Sequence, residues 1–316
     1  MHPMTIGGRT LIWGERTYVM GILNLTPDSF SGDGLLASPP APLPLPPENG
    51  GRRAHVPERE ESERGEWRGL EQARRFLAAG ADILDVGGES TRPGSQPVSA
   101  EEELRRVLPT IHAIKTEFPE ALISIDTYKA VVAEEALQAG AAMINDVWGL
   151  RADPALAGVA VLHNVPVVLM HNRSKPANVE MRERLGNAYQ AAEYLDLLED
   201  IKRELLELVE IARTAGIPDE NIILDPGIGF GKTVSQNLEL INRLDELHTL
   251  GFPILLGPSR KSFIGYTLDL PADQRLEGTA ATIAIGIARG ADIVRVHDVE
   301  AILRVARMTD AIVRRK

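Results

Sequence analysis

The sequence predicts an α/β protein built as a (β/α)8 TIM barrel, and three observations carry that prediction. Eight short apolar runs rich in Ile, Val and Leu alternate with eight amphipathic stretches, the order that yields a parallel sheet with right-handed crossovers. Eight is also the number at which such units close into a barrel of about 250 residues. No Gly-x-Gly-x-x-Gly turn follows the first run, which weighs against the doubly wound open sheet that the same alternation could build.

In chain order, residues 5–16 read as an N-terminal hairpin plugging the barrel floor. The strands follow as Tyr18–Leu23, Ile83–Val86, Leu122–Ile125, Met143–Ile144, Val165–Met170, Ile222–Leu224, Pro253–Leu256 and Ile293–Val296. Helices are expected over Leu70–Ala79, Ser99–Thr116, Ala130–Ala139, Pro154–Leu162, Ala191–Ala215, Ser235–Leu250, Asp273–Ala288 and Val299–Val313. Ser99 with Glu102 three residues on forms a capping box. Gly80, Gly140, Gly216, Gly251 and Gly290 stand just past helices, where a left-handed C-cap favours glycine.

Strand one ends near Asn24 and helix one begins near Gly69, a connection far beyond the usual 2–6 residues. Of 21 prolines, seven fall between Ser38 and Pro57, and a charged tract, Arg52 to Arg68, follows. This long Pro-rich and charged insertion in the first βα loop, residues 35–66, favours extended or disordered chain. It joins two parts of one barrel unit, so residues 1–316 are expected to form a single domain. A surface insertion tolerated at a loop tip is favoured over a lid.

Composition narrows the function. The chain has 316 residues, a hydrophobic fraction of 44% and a net charge of −11, an ordinary globular balance. Cysteine is absent, which excludes disulfides and thiolate metal sites and fits a reducing interior. An acidic chain lacks the field of a general nucleic-acid binder. The best apolar run, Gly158–Met170, is broken by His163, Asn164 and Pro166, short of the ~20 residues a membrane span needs. The first residues lack a charged start before an apolar block, so no secretory signal is expected. The cytoplasm is the expected location, with no nucleic acid and no membrane as partner.

In a barrel, catalytic groups sit at the carboxyl ends of the strands. Here those ends carry Asn24, Glu89, Asp126, Asn145 with Asp146, His171, Asp225, Lys261, and Arg295 with His297. Any one of them alone reads more simply as a helix cap or a solvated loop residue; eight aligned ends argue for a site. A carboxylate placed directly after Ile123-Ser-Ile125 or Ile222-Ile-Leu224 meets a dry barrel top and calls for a ligand rich in N–H donors. Ser259-Arg-Lys-Ser262 and Arg295-Val-His297 follow strands seven and eight, where barrels often bind phosphate. Thr91-Arg92 adds a further cation, and such clustering on an acidic chain implies an anionic ligand.

Two patterns mislead. Asp225-Pro-Gly-Ile-Gly-Phe-Gly-Lys-Thr233 ends like a Walker A loop, yet Pro226 occupies the first glycine position, so the phosphate loop fails. His297-Asp-Val-Glu300 has helical ligand spacing, with no second ligand cluster nearby in sequence, and a metal caged by protein is not expected.

Along the chain stand, in order, Gly21-Ile-Leu-Asn-Leu-Thr-Pro-Asp-Ser-Phe-Ser31, Asp85-Val-Gly-Gly-Glu-Ser-Thr-Arg-Pro-Gly94, Ser124-Ile-Asp-Thr-Tyr-Lys129, Ile144-Asn-Asp146, Leu169-Met-His171, Leu224-Asp-Pro-Gly-Ile-Gly-Phe-Gly-Lys232, Gly257-Pro-Ser-Arg-Lys-Ser-Phe263 and Arg295-Val-His-Asp-Val299. On these segments the chain, from Tyr18 to His297, resembles the dihydropteroate synthase family of pterin-binding barrels. The resemblance implies a transferase of folate biosynthesis. It would condense 6-hydroxymethyl-7,8-dihydropterin pyrophosphate with p-aminobenzoate, giving 7,8-dihydropteroate and pyrophosphate. It further implies that Asp126, Asn145, Asp225 and Lys261 line a pterin pocket beside Met170, with Arg295 packed against the ring. Asn24, Arg295 and His297 would hold the diphosphate, with Asn24 also on Mg²⁺, the implied cofactor. Thr91, Arg92, Pro93, Ser262 and Phe230 would frame p-aminobenzoate. Asp126, Lys261 and Arg295 would be catalytic. The family suggests a homodimer through late barrel helices, for which Ile283, Ile287 and the Ile302–Ile312 face are available, although barrel packing accounts for the same residues.

The chain departs from the family pattern in Asn172-Arg-Ser-Lys-Pro176 after His171, in Ile228 where phenylalanine is common, and in Ser31-Gly-Asp-Gly34. Two other readings compete. One is a methyltetrahydrofolate-dependent corrinoid methyltransferase, which has no need of the diphosphate-binding pairs. The other is a non-catalytic pterin-binding paralogue, against which the full set of motif residues speaks.

Overall fold

Eight parallel strands close into a ring in the computed structural model, which describes residues 2–26, 61–175, 179–180 and 184–314, without the side chains of 61–66. The ring strands are β3 (Tyr18–Asn24), β4 (Ile83–Gly87), β5 (Leu122–Asp126), β6 (Met143–Asp146), β7 (Val167–Met170), β10 (Ile222–Asp225), β11 (Leu255–Leu256) and β12 (Ile293–Val296). Their spatial order is β10-β7-β6-β5-β4-β3-β12-β11, and a parallel bridge between Leu224 and Ile254 joins the two ends. The strands are buried almost throughout, which is why they read as short aliphatic runs instead of alternating ones.

Below the ring, β1 (Met4–Ile6) and β2 (Arg9–Leu11) pair antiparallel. Met4, Ile6 and Leu11 pack with Tyr18, Met20, Ile83, Met143, Ile223 and Ile293 at the amino-terminal side of the strands. The hairpin therefore closes the floor, as the sequence predicts. The chain ends meet there as well. Thr17 donates from its N–H (2.8 Å) and its hydroxyl (2.8 Å) to Asp310, and Arg314 donates to the carbonyl of Ala291 at 2.9 Å. Asp82 adds a second tie, accepting from Arg16 and from the N–H of Val19.

The helices are α1 (Glu61–Ala79), α2 (Ala100–Glu117), α3 (Ala130–Gln138), α4 (Ala155–His163), α5 (Leu197–Ala215), α6 (Val234–Asn242), α7 (Ser262–Leu268), α8 (Leu276–Ala288) and α9 (Val299–Val313). The expected C-cap glycines all take left-handed φ values, from 85° at Gly251 to 111° at Gly140. Ser99 accepts from the N–H of Glu102 at 3.3 Å, but the Glu102 carboxylate turns to Arg105 and Arg106; the complete capping box belongs to Thr233 and Gln236.

Several boundaries differ from the sequence reading. Helix α1 includes Glu61, so residues 61–66 of the expected insertion are helical; Glu and Arg are good helix formers, and no proline lies among them to stop the helix. The remainder of the insertion, with its proline run and Ser31-Gly-Asp-Gly34, lies outside the described residues. Helix α5 starts at Leu197 because Asp196 caps it, accepting from Leu198 and Glu199. Helix α6 stops at Asn242 and continues as a 3₁₀ turn over Leu244–Leu250. Helix α7 has no counterpart in the sequence reading, since seven residues span too few turns for a period to register. A short antiparallel pair, β8 (Val179–Glu180) with β9 (Ala188–Tyr189), stands outside the ring. Ile283, Ile287 and Ile302 are buried in the core, whereas Ile285, Met308 and Ile312 are exposed; of the residues the sequence offers for an outward apolar face, Ile312 is the one that faces out. Among the described residues no helix is long and apolar enough to cross a membrane.

Candidate active site at the mouth of the barrel

Strand register builds the site. Asn24, Gly87, Asp126 and Asn145 lie side by side across β3, β4, β5 and β6, so four strand ends meet in one row at the carboxyl side of the ring. Gly87 leaves space in that row: a Cβ there would lie 3.3 Å from the Asp126 Cβ. Above the row opens a cavity of about 340 Å³. Its wall includes Asn24, Thr91, Arg92, Pro93, Asp126, Asn145, Met170, Asp225, Phe230, Lys261, Ser262, Arg295 and His297, so every residue to which the resemblance gives a role lines it.

The floor of the cavity is a charged array. Arg295 donates from Nε to Asp85 Oδ2 at 2.5 Å and from Nη2 to Asp126 Oδ2 at 2.5 Å. Asn145 Nδ2 donates to the same Asp85 oxygen at 3.0 Å. Burial pushes the Asp126 carboxyl up to about 7, against the opposing pull of Arg295 and with help from the negative charge of Asp85. Asp225 accepts from the N–H of Gly227 at 2.7 Å; burial raises its carboxyl too, opposed mainly by Lys261. Lys261, drawn down to about 8 by burial against the pull of Asp225, donates to the carbonyl of Ile228. Its Nζ lies 4.7 Å from the centre of the Phe230 ring. Beyond β11 and β12, the His297 N–H donates to Ser259 Oγ at 3.2 Å, and Asp298 holds the Arg260 guanidinium through two bonds.

Two of the polar strand ends turn away from the cavity. Asp146 is fully buried and accepts from the N–H groups of Trp148 (2.8 Å) and Leu150 (2.5 Å), which makes it the cap of its own turn. His171, also buried, lies between Glu204 of α5 (3.1 Å) and Lys232 (3.1 Å). Burial and the nearby Lys232 charge lower it to about 4, so the ring is neutral and takes the tautomer that donates to Glu204. Lys232, the residue that mimics a phosphate-loop lysine, is buried, and it donates to the carbonyls of Gly227 (2.9 Å) and Phe230 (3.2 Å). It ties the loop after β10 to itself and to the loop after β7.

Residues 62–297 match the sequence profile of the pterin binding enzymes. The chain belongs to that family. Among its relatives, the dihydropteroate synthase of Clostridium beijerinckii is 49% identical over 99% of this chain and 100% of that protein. A crystal structure of dihydropteroate synthase from Clostridium difficile in the presence of pteroic acid superposes with a TM-score of 0.78 at 44% identity, covering 96% of this chain and all of that one. The Xanthomonas albilineans enzyme with 4-aminobenzoic acid gives 0.79 at 35% identity, over 98% and 97% of the two chains. The chain is thus a pterin-binding transferase homologue of dihydropteroate synthases over nearly its whole length.

The cavity contains residues that the sequence reading passes over. Asp85 sits inside an apolar strand instead of at its end; a lone carboxylate within Ile83-Leu-Asp-Val86 was the available signal. It is wholly buried, and among the described residues its Oδ1 has no hydrogen-bond partner. Gly186, Asn187 and Tyr189 line the cavity from the far side. They belong to the segment after His171, where neither periodicity nor motif marks them. Among the described residues, no three His, Asp or Glu side chains gather as a metal site.

Proposed function

We propose that this chain condenses 6-hydroxymethyl-7,8-dihydropterin pyrophosphate with p-aminobenzoate, releasing pyrophosphate and forming 7,8-dihydropteroate. The observation that carries the reading is the buried array of Asp85, Asp126 and Asp225 with Arg295 and Lys261 under one cavity, in a chain homologous to dihydropteroate synthases along its length. Buried carboxylates beside an amide call for a ligand with several N–H donors, and a pterin ring presents an amide and an amino group. Asp126, Asn145, Asp225 and Lys261 bind that ring in our reading, Met170 supplies an apolar contact, and Arg295 packs beside it.

Asn24, Arg295 and His297 take the diphosphate. The Nη1 group of Arg295 lies outside its two carboxylate bonds. The carbon–oxygen bond to the diphosphate breaks, positive charge spreads from the exocyclic methylene into the dihydropterin ring, and Asp126 stabilises it. The aniline nitrogen of p-aminobenzoate, held among Thr91, Arg92, Pro93, Ser262 and Phe230, forms the new carbon–nitrogen bond and loses a proton. The protein orients two partners and pre-positions charge, and no covalent enzyme intermediate is required.

Among the described residues no cluster of side chains fits a fully caged cation. Mg²⁺, however, keeps several waters and is commonly bound through substrate phosphates and one or two protein oxygens. The Asn24 side chain on the cavity wall fits that lesser share. When bound, Mg²⁺ would neutralise charge growing on the departing diphosphate. A homodimer, through the exposed Ile285, Met308 and Ile312 of α8 and α9, belongs to the same proposal.

A coupled pyrophosphate-release assay with both substrates tests the reaction. Release that depends on p-aminobenzoate is expected. Release without it, or none at all, would overturn the reading and favour a methyltransferase or a non-catalytic binder.

A further inference from the structure

We infer that Tyr189 sets the specificity of the cavity for the aminobenzoate half of the ligand, by holding together the two loops that flank that half; this rests on the reaction proposed above. Tyr189 stands in β9, on the segment between β7 and α5, and lines the cavity. Its ring stacks on Phe230, with centroids 5.8 Å apart and planes inclined by 29°. Its hydroxyl donates to the carbonyl of Thr91 at 2.8 Å. One side chain therefore engages the loop after β10 through its face and the loop after β4 through its edge.

The neighbouring residues make the tie a brace. Asn187 Nδ2 donates to the carbonyl of Pro93 at 3.3 Å. Tyr266 of α7 donates to the carbonyl of Gly186 at 2.8 Å, and Arg275 donates to that of Leu185 at 2.8 Å. Residues 185–189 are thus bonded to three separate parts of the rim. The polar floor suits the pterin, whereas a benzoate ring is flat and largely apolar and needs a slot of matching width between hydrophobic faces. Phe230 and Tyr189 supply aromatic surface, and the Thr91 bond sets where the opposite loop stands relative to them. Burial raises the Tyr189 hydroxyl to about 12, so it remains a donor at neutral pH.

Two variants separate ring from hydroxyl. Tyr189→Phe keeps the stack and loses the Thr91 bond; Tyr189→Ala loses both. The lost stack and hydrogen bond together correspond to about a tenfold change. Tyr189→Ala is therefore expected to raise the p-aminobenzoate KM about tenfold, and Tyr189→Phe about threefold, with the pterin pyrophosphate KM and kcat within about twofold of the parent. Thermal melting of both variants controls for folding. Equal movement of both KM values, or movement of neither, would overturn the inference. A binding measurement keeps it separate from the reaction. The gap in affinity between pteroic acid and 6-hydroxymethylpterin reports the aminobenzoate half alone, and Tyr189→Ala should narrow it about tenfold without weakening 6-hydroxymethylpterin. An unchanged gap, or no gap in the parent protein, sinks the role of Tyr189. A parent that shows the gap but releases no pyrophosphate sinks the proposed reaction and leaves the role of Tyr189 intact.

Discussion

Asp126 is a carboxylate poised near its own midpoint. Burial lifts it to about 7 while Arg295 pulls the other way, so the charged form is lost as the pH falls through neutrality. If that charge stabilises a developing cation, kcat of the parent protein should fall below pH 7 by up to about tenfold per unit. Asp126→Asn should cut kcat by more than about tenfold and flatten this limb. Near-normal turnover, or an unchanged pH profile in the variant, would remove Asp126 from the mechanism. Asp126 was legible in the sequence because it follows Ile123-Ser-Ile125 directly, where a buried charge is conspicuous. Asp85 was harder to read: a lone carboxylate inside an apolar strand signals a buried charge, but its partners Asn145 and Arg295 appear only when the strands are in register. Tyr189 was invisible for a related reason: its partners, Thr91 and Phe230, are remote in sequence and meet it only in the folded rim.

At the scale of elements, the loop after β10 shows how a rigid rim is made from glycine and a buried ammonium. Gly227 has φ of +68°, and a Cβ on it would stand 1.8 Å from the carbonyl oxygen of His171. Gly227→Ala should therefore cost about 3 kcal/mol or more of stability, read as a fall in the urea midpoint, together with weaker pterin binding because Asp225 bonds to the N–H of residue 227. An alanine variant as stable as the parent would show that the loop can re-form without this contact. Elements were legible where packing imposes a period. All eight ring strands lie where the sequence predicts them, since burial on both faces leaves little but Ile, Val and Leu. The helical residues 61–66 of α1 and the whole of α7 were not legible, because a charged turn and a seven-residue helix leave no apolar stripe to read.

For the whole molecule, assembly and the long insertion are the open quantities. Ile285, Met308 and Ile312 are 49%, 64% and 59% exposed on two adjacent helices. If these apolar residues form a dimer contact, Met308→Asp with Ile312→Asp should shift sedimentation toward monomer while leaving secondary structure intact; an unshifted assembly would move the interface elsewhere. Because residues 61–66 of the expected insertion are helical, a deletion of residues 36–60 takes out the proline run and leaves Glu61–Ala79 in the chain. A p-aminobenzoate KM within about twofold of the parent is expected for a tolerated loop-tip insertion, and a large rise would identify a cover over the mouth. The closed ring itself was legible from the count of units together with the missing dinucleotide turn after the first strand. The clasp of Thr17 on Asp310 was not, since it joins residues at opposite ends of the sequence. It anchors both ends of the barrel on the floor, with the cavity on the far side. A polypeptide attached at either point would hang beneath the barrel, clear of the route by which substrates arrive, so this fold can be carried as a passenger in a longer chain with its chemistry undisturbed.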